Sequence, residues 1–410
     1  MKQNLFSLLF TFTLTTLPLA ADDWPNWMGP NHNSISSESV PKNKWFSKGE
    51  WKANVGTGFS SITIAKGKAY TMGHNGRSGS SGKETVWCLD AGSGTTVWTH
   101  TYPAPIIDRF YEGGPGASVT IRNDHAYAYS KHGHLICLNA VTGTLVWELD
   151  MMKESGLRKI PEWGFACSPT FLNDKTLLIE AGATFAVGSM DGRVKWKSKE
   201  YTPAYSSPAL FEWNSKKLIA VLKSEGLVVL ESVNGKTVAS TPWKTSYDTS
   251  ATTPIIQGNK IFISTGYQRG CALFELKGNQ LVKQYENDSM SNHMSNSVLV
   301  DGYLYGFKGT AHKGPKTDLV CMNFATGNEA WKLSARSGLG CGSLIGTKDG
   351  TLVIFSERGE LVRIDANPFK PKILARVQVL GGRCWTPPVL AHGRIYVRNA
   401  KGDVACVTAQ

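Results

Sequence analysis

The sequence predicts an all-β fold: an eight-bladed β-propeller with four antiparallel strands per blade and a ring closed by an N-terminal strand. Three observations predict it. A turn motif recurs every 40 to 49 residues along the chain. Short strands of alternating apolar residues precede each recurrence. The last unit ends one strand short, and a matching strand stands ahead of the first. Four-stranded units at this period are how propeller blades read in sequence, whereas solenoid units are shorter or helical.

The turn motif is a short strand, an acidic or polar residue, a turn ending in Gly, and Trp four residues on. It appears as Cys88-Leu89-Asp90-Ala91 through Gly94 to Trp98, and as Cys137-Leu138-Asn139-Ala140 through Gly143 to Trp147. Asp191-Gly192 to Trp196 and Cys321-Met322-Asn323 through Gly327 to Trp331 are the other clear copies. Weaker copies fill the gaps. Leu230-Glu231 through Gly235 has Ala239 in the Trp place, Lys277-Gly278 is a shortened turn, and Ile364-Asp365-Ala366-Asn367-Pro368 substitutes proline. The turns fall near 94, 143, 192, 235, 278, 327 and 367, and an eighth step lands at the C-terminus, where Cys406-Val407-Thr408-Ala409 matches the strand before the turn.

A second pattern lies upstream of each turn: small polar residues, often with proline, then a hairpin. Cys167-Ser168-Pro169, Ser206-Ser207-Pro208, Thr252-Thr253-Pro254 and Thr386-Pro387-Pro388 are examples. Gly258-Asn259, Asp301-Gly302 and His392-Gly393 place tight-turn residues between apolar-alternating strands.

The final unit stops after its third strand, and such a blade would leave backbone groups unpaired along an open edge. Trp51 stands eight residues ahead of Phe59-Ser60-Ser61, much as Trp196 stands nine ahead of Tyr205-Ser206-Ser207. Residues 50–56 are therefore expected to pair with the strand near 403–407. The tryptophans are expected to wedge between blades, with each indole N–H finding a partner.

The N-terminus reads as a cleaved secretory signal over residues 1–21. Lys2 supplies the positive end, Leu5 to Leu19 the apolar stretch, and Pro18-Leu19-Ala20-Ala21 the small residues for cleavage. Residues 22–49 read as an N-terminal extension and 50–410 as the propeller. No later segment reaches the roughly 18 apolar residues of a spanning helix. A periplasmic or secreted location is expected. Net charge is +12, which favours anionic partners. No basic run concentrates it, so the charge reads as a solvated surface and no nucleic-acid partner is expected. Export permits disulfides, but the eight cysteines follow the repeat. Neighbouring blades hold equivalent positions too far apart for S–S bonds, and the thiols read as free packing residues.

The pattern Ala-x-Thr-Gly-x-x-x-Trp at Ala140 to Trp147, with its variant at Ala325 to Trp331, resembles the repeat of PQQ-containing quinoprotein dehydrogenases. Short length and minimal insertions look more like the BamB-type outer-membrane assembly factors, which share that propeller without a cofactor. Asp23-Trp24-Pro25-Asn26-Trp27-Met28-Gly29-Pro30, Trp163 to Pro169 and Gly266 to Leu273 are similar to motifs of exported PQQ-like repeat proteins of planctomycete-type bacteria. The resemblance spans about residues 23–410 and implies the fold, and it carries no activity.

A quinoprotein dehydrogenase needs calcium held by carboxylate and amide oxygens and an aspartate as general base. The sequence has no adjacent cysteine pair, no Asp-x-Asp-x-Asn-Gly loop, no Gly-x-Ser-x-Gly elbow and no Cys-x-x-Cys-His site. No catalytic residue, metal site or cofactor is predicted, with PQQ and calcium kept as the alternative. His132-Gly133-His134 places two imidazoles on one face of a strand, with no third ligand in view, and reads as surface or hairpin histidines.

Blade-connecting loops face one mouth of the channel. There the candidate ligand residues are Arg109, Glu112, Trp163, Tyr205, Asp248, His293, Arg383 and Trp385, with Tyr111 and Glu162 beside them. Arginines among aromatics suit a planar or anionic small ligand. The same side chains also suit plain plugging of the mouth. The functional expectation is an exported, non-catalytic binding or scaffold propeller holding a ligand or an envelope protein at the mouth or rim. The alternative is a PQQ- and calcium-dependent dehydrogenase of alcohols or sugars. A closed ring has no edge that demands a partner, and a monomer is expected.

Overall fold

The turn motif explains itself in the computed structural model, which describes residues 22–40, 46–311 and 317–409. At the first clear copy the Asp90 carboxylate accepts the N–H groups of Gly92 and Ser93. Asn139 does the same for Val141 and Thr142, and Asn323 for Ala325 and Thr326. The side chain thus stands in for a backbone turn, which is why Asp or Asn leads the motif. Gly94, Gly143, Gly192, Gly235 and Gly327 then take positive φ. Their second task is packing: a β-carbon at Gly94 would run into Trp51, at Gly143 into Trp98 and at Gly192 into Trp147. Each turn glycine lies against the aromatic ring of the preceding blade.

Eight four-stranded antiparallel sheets result, one of them extended by a fifth strand. Blades 1 to 7 span residues 63–103, 120–150, 170–197, 209–242, 255–287, 298–333 and 343–378. Blade 8 combines Val389–Ala391, Arg394–Arg398 and Asp403–Ala409 with Phe46–Asn54. In that last sheet Trp51 pairs with Cys406 and Asn54 with Asp403. The ring closes as the sequence predicts, through a strand that starts at Phe46, ahead of residue 50. The only α-helix among the described residues is the single turn Met151–Ser155.

Tryptophans join the blades. Trp51 of blade 8 donates to the Ala91 carbonyl of blade 1 (3.0 Å), Trp98 to Ala140 (3.0 Å), Trp147 to Ser189 (2.9 Å) and Trp331 to Asn367 (2.7 Å). In blade 5 the hydroxyl of Tyr285 donates instead, to the Phe324 carbonyl at 2.9 Å. Blade 4 has Ala239 in the Trp place, and Trp243 is buried just beyond it, with its indole N–H on Thr265 Oγ1. The apolar core runs between successive blades rather than at one centre.

The small polar residues at the inner-strand starts also join blades. Ser118 N–H donates to the hydroxyl of Ser168, and Ser168 N–H to that of Ser207. Thr253 N–H donates to Asn296 Oδ1. All eight cysteines are free and buried. Burial raises their thiols, to about 11 for Cys88 and Cys321 and about 12 for Cys137, Cys271 and Cys406.

Residues 22–40 take a course that the sequence did not predict. Trp24 exchanges two backbone hydrogen bonds with Ile64, and the Pro25 carbonyl accepts from Ile121, so this segment meets the inner strands of blades 1 and 2. It then returns to pair Ile35 with Gly346, parallel to the inner strand of blade 7. The Glu38 carboxylate accepts the N–H groups of His392 and Gly393 in blade 8, and Asp23 accepts from Lys66 in blade 1. These contacts lie at the far ends of the inner strands. The segment is a plug in the channel, opposite the mouth formed by the blade connectors. The signal read over residues 1–21 lies outside the described residues.

Candidate functional site

With the far end plugged, the channel leaves a blind cavity of about 720 Å³ at the connector mouth. Small-molecule sites commonly fall between roughly 300 and 1,000 Å³. Connectors preceding the inner strands supply most of its wall, because those strands converge on the channel axis. Trp27 reaches in from the plug, donates its indole N–H to Thr253 Oγ1 at 3.1 Å, and forms part of the floor.

Aromatic side chains line two sides. Phe59, Tyr111, Trp163 and Trp385 come from the connectors ahead of blades 1, 2, 3 and 8. Phe59 stacks on Trp385 (5.4 Å between centroids, 25° between planes), and Tyr111 meets Phe59 at 5.5 Å and Trp163 at 5.9 Å. Across the ring, around blades 5 and 6, Tyr267 meets Tyr247 at 5.1 Å and His293 edge-on at 5.0 Å. Tyr205 stands between the two sides, before blade 4. Phe110, Tyr247 and Tyr267 hold positive φ of 68°, 60° and 55°. Such backbone is rare for bulky residues and gathers at functional sites. Phe110 and Tyr247 are also largely exposed at the rim, 75% and 67%.

Charge in the cavity is sparse. Arg109 pairs with Glu162 at 2.6 Å on the exposed rim. Lys131, at the turn between the second and third strands of blade 2, is 3% exposed and still lines the cavity. Its ammonium donates to the Tyr111 hydroxyl and lies 4.8 Å from that ring's centroid. Burial pulls its pKa down to about 8, against a smaller upward pull from Glu84. Burial also raises the Tyr111 and Tyr205 phenols.

Of the residues singled out in the sequence, Arg109, Trp163, Tyr205, His293 and Trp385 line the cavity, with Tyr111 and Glu162. Glu112 and Arg383 stand behind its wall. They pair with each other at 2.8 Å, and the Arg383 guanidinium lies 4.5 Å from the Trp385 ring centroid. Asp248 is exposed on the short 3-10 turn beside Tyr247. Sequence reasoning missed Trp27, Phe59, Lys131, Tyr247 and Tyr267. His132 lies in a turn rather than on a strand; its Nε2 meets the Pro105 carbonyl at 2.6 Å, while His134 pairs with Glu148 at 2.9 Å. The two imidazoles share no partner.

The residues present do not fit a calcium-bound quinone. Glu162 is the one carboxylate among the described lining residues, and Arg109 holds it. No cysteine lines the cavity, and no group of three His, Cys, Asp or Glu among the described residues is placed to hold a metal.

Fold and site together define an eight-bladed propeller with a blind, aromatic-lined mouth cavity. The chain matches the family described as outer membrane protein assembly factor BamB over residues 82–333 and 315–410, and it belongs to that family. Among solved structures it is similar to BamB from Moraxella catarrhalis, at 16% identity and a TM-score of 0.63, covering 89% of this chain and 100% of that one. It is also similar to the quinohemoprotein alcohol dehydrogenase from Comamonas testosteroni (13%, TM-score 0.65, 94% and 80% covered). A europium-containing methanol dehydrogenase gives 10%, TM-score 0.64, and 94% and 98% covered. At these identities the likeness is one of fold. No curated protein matches the chain.

Proposed function

We propose that this protein is an exported binding propeller that holds a flat, largely apolar small ligand in its mouth cavity and performs no chemistry of the quinoprotein kind. The observation that carries the reading is the pair of aromatic walls, Phe59–Tyr111–Trp163–Trp385 and Tyr247–Tyr267–His293, separated by a blind cavity. Flat π-faces stack between such walls, and the few cationic groups select an acidic or polar edge. Closure at the far end supports the reading, because a blind site buries more of a ligand than an open channel does.

Membership in a family described by outer-membrane protein assembly supports export through residues 1–21 and an envelope location. Fractionation of the expressing cells and N-terminal sequencing test this, with the mature chain starting near Asp22. A protein partner at the outer rim is compatible with a ligand at the mouth, because exposed apolar side chains such as Val141, Met190 and Val233 stand on the turns of the opposite face. No helix among the described residues is long and apolar enough to cross a membrane.

The test is a titration of planar aromatic acids, and of PQQ with and without calcium, followed by tryptophan fluorescence. Micromolar binding of planar acids, weakened at least tenfold in Trp163→Ala, supports the reading. Calcium-dependent PQQ binding with dye reduction by alcohols or sugars would overturn it in favour of a dehydrogenase.

A further inference from the structure

Lys131 is an unusual lysine. It is 3% exposed, sits among aromatic rings, and has the Tyr111 hydroxyl as the acceptor of its ammonium. No carboxylate among the described residues pairs with it. Glu84, which acts on it by charge, is itself buried and accepts from the Tyr102 hydroxyl. Its stem is fixed from below: a β-carbon at Gly164 would meet the Lys131 side chain at 2.7 Å, and Phe165 N–H donates to the Lys131 carbonyl. A long, flexible side chain is thus held in one place at the cavity wall, its Nζ on the hydroxyl of another lining residue. A structural lysine would be expected to reach solvent or a carboxylate.

We propose that Lys131 is a nucleophilic amine that captures a flat carbonyl compound, an aryl aldehyde in the first instance, as an imine at the wall of the mouth cavity. The inference rests on the mouth-cavity reading above. The ammonium first loses a proton to water, which burial makes accessible near pH 8. Nζ then attacks the carbonyl carbon, forming the C–N bond as the C=O π-pair moves to oxygen. Tyr111, whose hydroxyl oxygen accepts from Nζ, then donates its O–H to that oxygen. The carbinolamine oxygen leaves as water with one proton from the nitrogen and one from Tyr111, and the second N–H proton restores the phenol. Amine and aldehyde become imine and water, with no oxidant or reductant. The aromatic walls hold the aryl ring by stacking and keep the C=N bond away from bulk water.

The experiment uses the full mature chain and 4-formylbenzoate, with cyanoborohydride to trap the imine, read by intact mass and peptide mapping. The expected result is a single adduct, mapped to Lys131 with at least tenfold preference over any other lysine at limiting aldehyde. The labelling rate should have a midpoint near pH 8, and the adduct should be absent in Lys131→Met. Tyr111→Phe, which keeps the ring and the amine, should slow labelling several-fold. Labelling spread over surface lysines, or unchanged in Lys131→Met, would overturn the proposal. In parallel, 4-methylbenzoate, which cannot form an imine, is titrated into the same protein. If it binds while Lys131 stays unlabelled, covalent capture fails and the binding reading stands; if it does not bind, the binding reading itself fails.

Discussion

Trp51 donates its indole N–H to the Ala91 carbonyl at 3.0 Å, linking the strand that completes blade 8 to the turn of blade 1. The same ring lies against Gly94 and meets Tyr396 at 6.0 Å. Ring closure therefore depends on a side chain from the beginning of the chain. Trp51→Ala is expected to cost about 3–5 kcal/mol, the usual range for emptying a buried aromatic site, measured by urea unfolding. Val233→Ala, on an exposed turn, should stay within about 0.5 kcal/mol.

Arg398 is the second closure device. Its guanidinium is buried and donates to the carbonyls of Ser60, Met72 and Gly56 and to Thr71 Oγ1, binding blade 8 to blade 1. Arg398→Met leaves these acceptors bare, each costing about 1–3 kcal/mol, partly offset by no longer burying a charge. A net loss of at least about 2 kcal/mol is expected in equilibrium unfolding. Arg398→Lys should recover little of it, because a single ammonium cannot span four acceptors divided between one strand of blade 1 and the connector ahead of it.

The buried thiols give a sign for the alkaline response. Their pKa values in the fold, about 11 to 12 for several of them, lie above the ordinary 9. Between those values the folded state binds more protons than the unfolded one, so stability falls as pH rises through 9 and beyond. A thiol-specific dye at pH 8 should react slowly with the native chain and with eight thiols after unfolding. Fast reaction of several thiols in the native state would contradict the burial.

Lys131 contributes the opposite slope. With a folded pKa near 8 against an ordinary 10.5, the unfolded state binds more protons between those values, so this group adds stability as pH rises through that window. Subtracting the pH profile of Lys131→Met from that of the wild type isolates the effect, expected at about 3 kcal/mol across the window from a shift of this size. A flat difference curve would contradict it.

Trp27 joins plug and cavity. Trp27→Ala removes the floor contact to Thr253 and is expected to weaken planar ligands about tenfold while changing folding stability by no more than about 2 kcal/mol, because Trp27 is only half-buried. Trp24→Ala, at a fully buried anchor of the same plug, should instead lower stability.

Blade count and ring closure were legible in the sequence because their physics repeats. The Asp or Asn that builds the turn, the Gly beneath the ring and the Trp that crosses to the next blade are copied around the circle. Where a blade uses another solution, as with Tyr285 in blade 5 or Trp243 in blade 4, the copy faded while the junction persisted. The site was half legible. Connector residues such as Tyr205 and Trp385 could be placed at the mouth from strand order alone. Lys131 and Tyr267 lie in second-to-third-strand turns, where nothing in the sequence separates a buried side chain from a solvated one. Glu112 and Arg383 are 271 residues apart, and only ring closure brings them together. Trp27 required knowing that residues 22–40 enter the channel, which no repeat encodes.

The most direct test is a crystal structure of the mature protein with a planar aromatic acid bound. The expected result is ligand density between the Tyr111–Trp163–Trp385 wall and the Tyr247–Tyr267–His293 wall, above Trp27, with residues 22–40 seated in the channel. A ligand found only on the outer rim, or an open channel with Trp27 withdrawn, would contradict the account.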